Sequence, residues 1–250
     1  MPVKFITDYP AAYIPEIKTL VVTDIQIGLE HELYKQGIVI QPQAEKFVGL
    51  LNKLIKLTRA KQLVILGDLK HKVPGISLRE TSQLPKFFEK ISLKKIILCK
   101  GNHDTDFEDL IPNYVKIYGS IGCRIKNYGF FHGHGWPSKR IMECDFLFMG
   151  HLQPGIEFQD NFGHRLIEQI WIKTEMNVEK IKIKYGLQRT GKLELTIVPA
   201  FNPLLGCAII NKLLPEDYVG PFFQNHIIDL KESHIYLLDG THIGQLKDFK

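Results

Sequence analysis

Short apolar runs rich in β-branched residues alternate with stretches of helical periodicity through the first half of the chain. Thr19 to Thr23 (TLVVT) is one such run and stops at Asp24. Between Ala44 and Leu57, Phe47, Val48, Leu51, Leu54 and Ile55 recur at helical spacing, which gathers them on one face of a helix. QLVILGD follows as a buried-strand pattern ending at Gly67–Asp68. Leu84, Phe87, Phe88 and Ile91 mark a second amphipathic helix, and KKIILCKGNHD a third strand. This β-α-β-α-β order predicts a largely parallel sheet with helices packed on it. In such sheets ligands gather beyond the carboxyl ends of the strands. Polar residues fall there each time: Asp24, Asp68, then Asn102–His103–Asp104.

The second half reads mostly as strands. Tyr128–His132 and Asp145–Gly150 are apolar runs that end in or beside histidine, and Ile167–Thr174, Leu193–Pro199 and His234–Leu238 follow. Val178 to Val198 has the pattern of a β-hairpin with its turn near Gly186–Gly191, an elaboration at about 175–198 ahead of a strand-rich C-terminal tail. On a strand, Lys180, Lys182 and Lys184 share one face. With Arg189 and Lys192 they form either a basic ribbon for a phosphate backbone or a lysine-protected sheet edge.

Composition adjusts this picture only modestly. A chain of 250 residues, 44% hydrophobic and 24% charged, suits one large domain over 1–250. No apolar run approaches the ~20 residues needed to span a bilayer. The opening MPVKFITDYPAAYIPEIK lacks the apolar core of a signal peptide, so a cytoplasmic protein with no membrane partner is expected. Cys99, Cys123, Cys144 and Cys207 are scattered without a C-x-x-C pair, which argues against a disulfide framework or a cysteine zinc site. The formal net charge of +5 permits a polyanionic partner such as nucleic acid without requiring one.

Five polar clusters each follow a hydrophobic strand: Asp24-Ile-Gln26, Gly67-Asp68-Leu-Lys-His71, Gly101-Asn102-His103-Asp104, His132-Gly-His134 and Gly150-His151-Leu-Gln153. A single histidine at a strand end is ordinary, and a single G-N-H-D could be only a turn. Five in order at strand ends point to one site. Carboxylates, an amide oxygen and imidazoles form a mixed oxygen and nitrogen donor set suited to Mn, Fe, Zn, Ni or Mg. A carboxylate shared between two ions can hold them roughly 3.5–4 Å apart for in-line phosphoryl displacement.

In this order the motifs resemble the calcineurin-like metallophosphoesterase superfamily, whose pattern is D-x-H, G-D, G-N-H-D/E, a separate His, and G-H-x-H. The match runs from Asp24 to Gln153, with glutamine in place of two histidines at positions 26 and 153. TDIQIGLEHELYKQGIVI, G-D-L-K-H, F-H-G-H-G-W-P-S and VPAFNPLLG look similar to one branch in particular. It comprises predicted archaeal and bacterial phosphoesterases, associated in bacteria with DNA ligase and helicase genes. The resemblance covers most of the chain and thins beyond about Phe201. It implies an α/β, four-layer metallophosphoesterase sandwich of two mixed β-sheets flanked by helices.

It also implies roles. One ion would take the positions of Asp24, Gln26, Asp68 and Gln153; the other would take Asp68, Asn102, His132 and His151. Both glutamines fall on the first of these. An amide oxygen is a poorer donor than imidazole to a borderline transition metal, so one firmly held ion and a weak or empty second site are expected. The weaker site would favour harder ions such as Mn²⁺ or Mg²⁺, and manganese is the first expectation overall. Glu30, His31, Lys70 and His71 are the neighbours placed to compensate for the glutamines, Lys70 by supplying positive charge. His103 would stabilise the transition state or protonate the leaving oxygen, with Asp104 fixing its orientation. His134 and His71 would contact phosphate, or His134 would brace His132.

The expected function is metal-dependent hydrolysis of a phosphodiester, nucleic acid among the candidate substrates. A binding or scaffold module with impaired catalysis is the alternative, and a phosphomonoesterase is a third reading. Oligomeric state is not written in the sequence.

Overall fold

The computed structural model describes residues 3–188 and 191–249. Two sheets face each other, and each carries helices on its outer side. The first sheet has six strands in chain order: β1 (Lys4–Phe5), β2 (Ala12–Ile14), β3 (Thr19–Val22), β4 (Gln62–Ile65), β5 (Ile96–Cys99) and β6 (Val115–Tyr118). From β3 to β6 every pair is parallel, whereas β1 and β2 join antiparallel. Its helices are α1 (Leu29–Lys35), α2 (Ala44–Thr58) and α3 (Leu78–Lys90). The two predicted amphipathic helices are α2 and α3.

The second sheet has nine strands: β7 (Cys123–Ile125), β8 (Tyr128–Phe131), β9 (Phe146–Met149), β10 (Pro154–Gln159), β11 (Arg165–Glu175), β12 (Glu194–Ile197), β13 (Ala208–Ile209), β14 (His234–Leu237) and β15 (His242–Gln245). It is also mixed, with β8, β9 and β12 parallel and most other pairs antiparallel. The short helices α4 (Lys139–Met142), α5 (Val178–Tyr185) and α6 (Pro221–Gln224) cover its outer face.

Strand alternation builds these layers. Leu20, Val22, Leu63, Ile65, Ile96 and Leu98 point to α2 and α3, while Val21, Val64, Ile97 and Cys99 point inward. There they meet Phe130, Phe148 and Trp171 of the second sheet, whose neighbours Phe131, Leu147, Met149, Ile170 and Ile172 face α4, α5 and α6. Phe47, Leu51 and Leu54 of α2 are fully buried, each contributing roughly 1.5–3 kcal/mol of burial. The helix–sheet–sheet–helix sandwich expected from the motifs is therefore the fold. No helix among the described residues is long and apolar enough to cross a membrane. The four cysteines form no disulfide; Cys99 and Cys123 meet in the layer between the sheets with sulfurs 3.8 Å apart.

The hairpin expected at about 175–198 is not the structure. β11 and β12 do pair antiparallel, Glu175 opposite Glu194, but α5 lies between them. Asn177 caps its first turn by accepting from the Lys180 amide at 3.0 Å, and Gly186 ends it in the left-handed conformation. The burial of Ile181 and the 84% exposure of Ile183 show why a two-residue period misleads here. At 100° per residue they lie on opposite sides of a helix. Lys180, Lys182 and Lys184 accordingly make no ribbon. The Lys184 ammonium sits 3.5 Å from the centre of the Trp136 ring, Lys182 pairs with Glu179, and Lys180 donates to the carbonyl of Asn225. Lys192 pairs with Glu175, and Arg189 lies outside the described residues.

Candidate metal centre

Five polar turns converge at the carboxyl ends of β3, β4, β5, β8 and β9. Their backbone is unusual: Asp24, Gln26, Asp68, His151 and Gln153 all hold positive φ between 44° and 68°. Such conformations cost non-glycine residues of order 1–3 kcal/mol and persist where the surroundings demand a particular side-chain direction. Five of the eleven non-glycine residues with positive φ among those described stand at motif positions, so strain concentrates at this site. The glycine of G-N-H-D has a steric reason. A Cβ there would fall 2.0 Å from the Asp68 carboxylate, so the two loops can close only over glycine.

Asp68, His132 and His151 form a candidate cation-binding triad, with one ligand atom of each lying within 4.8 Å of the others. His132 is fully buried, and its Nδ1 donates to the Leu66 carbonyl at 2.7 Å. That bond leaves Nε2 facing the Asp68 carboxylate at 3.4 Å and the Asn102 amide oxygen at 3.2 Å. Burial opposes a charge on His132, but the Asp68 carboxylate, aided by Asp24 and Asp104, outweighs it and raises the imidazole to about 9. Burial likewise opposes ionisation of Asp68, yet His132 and the His103 amide hold it at about 2. His151 is pushed down to about 3 by burial and by the neighbouring His132, so it offers a neutral lone pair. An ionised carboxylate, a neutral imidazole and a second imidazole whose proton a cation can replace suit a divalent ion.

The other half of the centre has different chemistry. Asp24 is fully buried and already has three donors: Thr23 Oγ1 at 2.7 Å, Gln153 Nε2 at 3.0 Å and the His151 amide at 3.3 Å. Burial raises its pKa above the usual carboxylate range, against the pull of His132. Gln26, also buried, directs Oε1 at His71 Nδ1, 2.6 Å away. Both glutamine side chains thus end on protein partners.

The histidines beyond the triad are arranged differently from expectation. His103 Nε2 lies 3.9 Å from Asp68 Oδ2, while its Nδ1 donates to the carbonyl of His71. Asp104 does not orient it. The Asp104 carboxylate instead accepts from the amides of Leu69 at 2.9 Å, Lys70 at 3.3 Å and Gly101 at 2.9 Å, tying the G-D turn to the G-N-H-D turn. Burial, then the Asp68 charge, raises Asp104 to about 6 despite those bonds. Nor does His134 brace His132, whose brace is the Leu66 carbonyl. The His134 ring lies 5.3 Å from that of His132, with Nδ1 buried and lacking a protein partner; burial and the His132 charge push it down to about 4.

Lys70 places no charge in the centre. Its ammonium donates to the carbonyls of Lys72 at 2.5 Å and Gly75 at 2.7 Å, holding the loop that carries His71. Glu80 holds the same loop, accepting from the amides of His71 at 3.0 Å and Lys72 at 2.7 Å and closing a capping box with Ser77. Sequence reasoning missed Glu80, although S-L-R-E carries the capping-box spacing. It also missed Asn202, in the F-N-P of VPAFNPLLG, whose side chain donates to the Ile25 carbonyl at 3.0 Å beneath the first metal turn.

A sandwich of two mixed sheets with a carboxylate–histidine triad at its strand ends defines a phosphoesterase-type fold. Residues 17–235 match the calcineurin-like phosphoesterase family, and the chain belongs to it. The structure is similar to that of nuclease MPE from Pseudomonas putida, with a TM-score of 0.53, 19% identity, and coverage of 92% of this chain and 89% of that one. It has lower similarity to the phosphoesterase Yfce from E. coli, with a TM-score of 0.37 and 15% identity over 91% of this chain and 97% of that one. A predicted phosphoesterase from Streptococcus pneumoniae gives a TM-score of 0.36 and 10% identity over 90% and 91%. No curated protein matches the chain.

Proposed function

We propose that this protein hydrolyses a phosphodiester at a centre that holds one divalent cation firmly, manganese being the first candidate. The observation that carries this reading is the convergence of Asp68, His132 and His151, with Asn102 beside them. A cation bound there would supply Lewis acidity to a phosphoryl oxygen and to the attacking water. His103, pinned through Nδ1, presents Nε2 beside Asp68 and serves the leaving oxygen. Asp104 keeps the two loops in register, and His134 and His71 line the approach for phosphate. The Asp24, Gln26 and Gln153 side is weak for a second ion, because Gln153 already donates to Asp24 and the Gln26 oxygen is already engaged by His71.

Nucleic acid is the substrate class to be assayed first, in keeping with the motifs shared with the ligase-associated branch and with the name of the P. putida nuclease. The engaged glutamines favour a second reading, a phosphoesterase-like binding module without turnover. Assays on single- and double-stranded DNA and on bis-p-nitrophenyl phosphate with Mn²⁺, Mg²⁺, Ni²⁺ and Zn²⁺ separate the two. Activity that is metal-dependent and lost in His103→Ala supports hydrolysis; activity unchanged in that variant overturns it. No turnover with any ion supports the binding module.

A further inference from the structure

Gln26 reaches His103 through one intermediary. Its Oε1 accepts from His71 Nδ1 at 2.6 Å, and the carbonyl of His71 accepts from His103 Nδ1. The amide of His71 is held by the Ile27 carbonyl and by Glu80 Oε1, each at 3.0 Å. Residue 71 is therefore tethered by main chain and by ring, and the ring tether is Gln26. The His71 and His103 rings lie side by side, 5.6 Å apart with 30° between their planes.

We propose that Gln26 is a positioning residue that, through His71, sets the aim of His103 at the leaving oxygen. The inference rests on the role given to His103 above and deepens it. An amide oxygen can only accept, so Gln26 fixes His71 as the Nδ1–H tautomer. The left-handed backbone at Gln26, φ 44°, is shared with Asp24, Asp68, His151 and Gln153, and here it directs the side chain at His71. Gln26 is 3% exposed, and its amide oxygen meets its need for a partner at His71, 2.6 Å away.

The test compares Gln26→Leu, Gln26→Glu and His71→Ala with the parent, all loaded with Mn²⁺, on two diesters. One releases p-nitrophenolate, which departs without a proton; the other is a dinucleotide, whose alkoxide needs one. Gln26→Leu lowers kcat on the dinucleotide roughly 10-fold and on the nitrophenyl ester less than about 2-fold, with KM and bound metal unchanged. Gln26→Glu keeps an acceptor oxygen and recovers most of the loss. His71→Ala shows the same leaving-group dependence of kcat together with a raised KM on both esters, because it also removes a group lining the approach for phosphate. In the metal-free protein, side-chain ¹⁵N–¹H NMR gives a reading independent of turnover. There the His103 Nδ1 proton exchanges with solvent roughly 10-fold faster in Gln26→Leu, as expected for a loosened supporting partner. Equal kcat losses on both esters, loss of metal, or unchanged exchange overturn the inference. If His103→Ala itself shows no leaving-group dependence, the underlying role of His103 fails; if it does and Gln26→Leu does not, only this inference fails.

Discussion

The two halves of the centre share the same strained strand ends yet solve opposite electrostatic problems. Around Asp68, the His103 amide donates at 2.9 Å and the His132 imidazole supplies the positive charge, with the lone pairs of His151 and Asn102 left facing it. Around Asp24, donors are plentiful, with a hydroxyl, a side-chain amide and a main-chain amide on a single carboxylate. A carboxylate satisfied by neutral donors gains less from a cation than one whose only charged partner is a displaceable proton. In the Asp24 half both glutamines end on protein partners, Gln26 on His71 and Gln153 on Asp24.

The sharpest way to break the comparison is to remove one imidazole. His132→Ala lowers activity on the order of 10³-fold, since a Lewis acid supplies several kcal/mol, and metal analysis of that variant finds the bound ion gone. Retention of the ion would shift the firm site to the Asp24 side. His103→Ala follows, with roughly 10²-fold loss in kcat and unchanged metal content by the same analysis. Next comes pH. His132 must give up its proton to bind a cation, and it holds that proton up to about 9. Calorimetric affinity should then strengthen about 10-fold per pH unit from 6.5 and flatten above 9, whereas a site on the Asp24 side would not show that limit.

The same group makes a stability claim with the sign fixed by its raised pKa. Relative to the ordinary value of 6.5, His132 stabilises the metal-free fold fully below that pH and loses the contribution as pH rises through 9. Denaturant titrations of chelated protein should show that decline. Two smaller effects sharpen the boundary between the halves. Asp104→Asn, which weakens the carboxylate shared by three amides, costs about 1–3 kcal/mol in the same titrations. Gln153→Ala removes one of three donors to Asp24, costs about 1 kcal/mol and leaves the ion in place.

The motif residues were legible because their chemistry recurs at strand ends in a fixed order, and because burial on both faces makes parallel strands read as continuous apolar runs. The helix at Val178–Tyr185 was not, although its signals were there. Asn177 and Gly186 are cap residues, but alternating Lys and Ile outweighed them in a reading based on period alone. The role of Asp104 was misassigned for a different reason. Adjacency in G-N-H-D suggests a pair, while the turn directs the carboxylate away from His103 toward the amides of residues 69, 70 and 101.

The sequence by itself determined the parallel first sheet, its two amphipathic helices and the polar clusters at strand ends, because those follow from hydrophobic period and from local turn chemistry; the sandwich was implied by the family resemblance those clusters carry. Only the tertiary structure decided what Gln26 and Gln153 touch. Their partners, His71 and Asp24, lie 45 and 129 residues away along the chain. A hydrogen bond is set by ångströms and angles between loops brought together by the folding of both sheets, and no spacing along one strand encodes that.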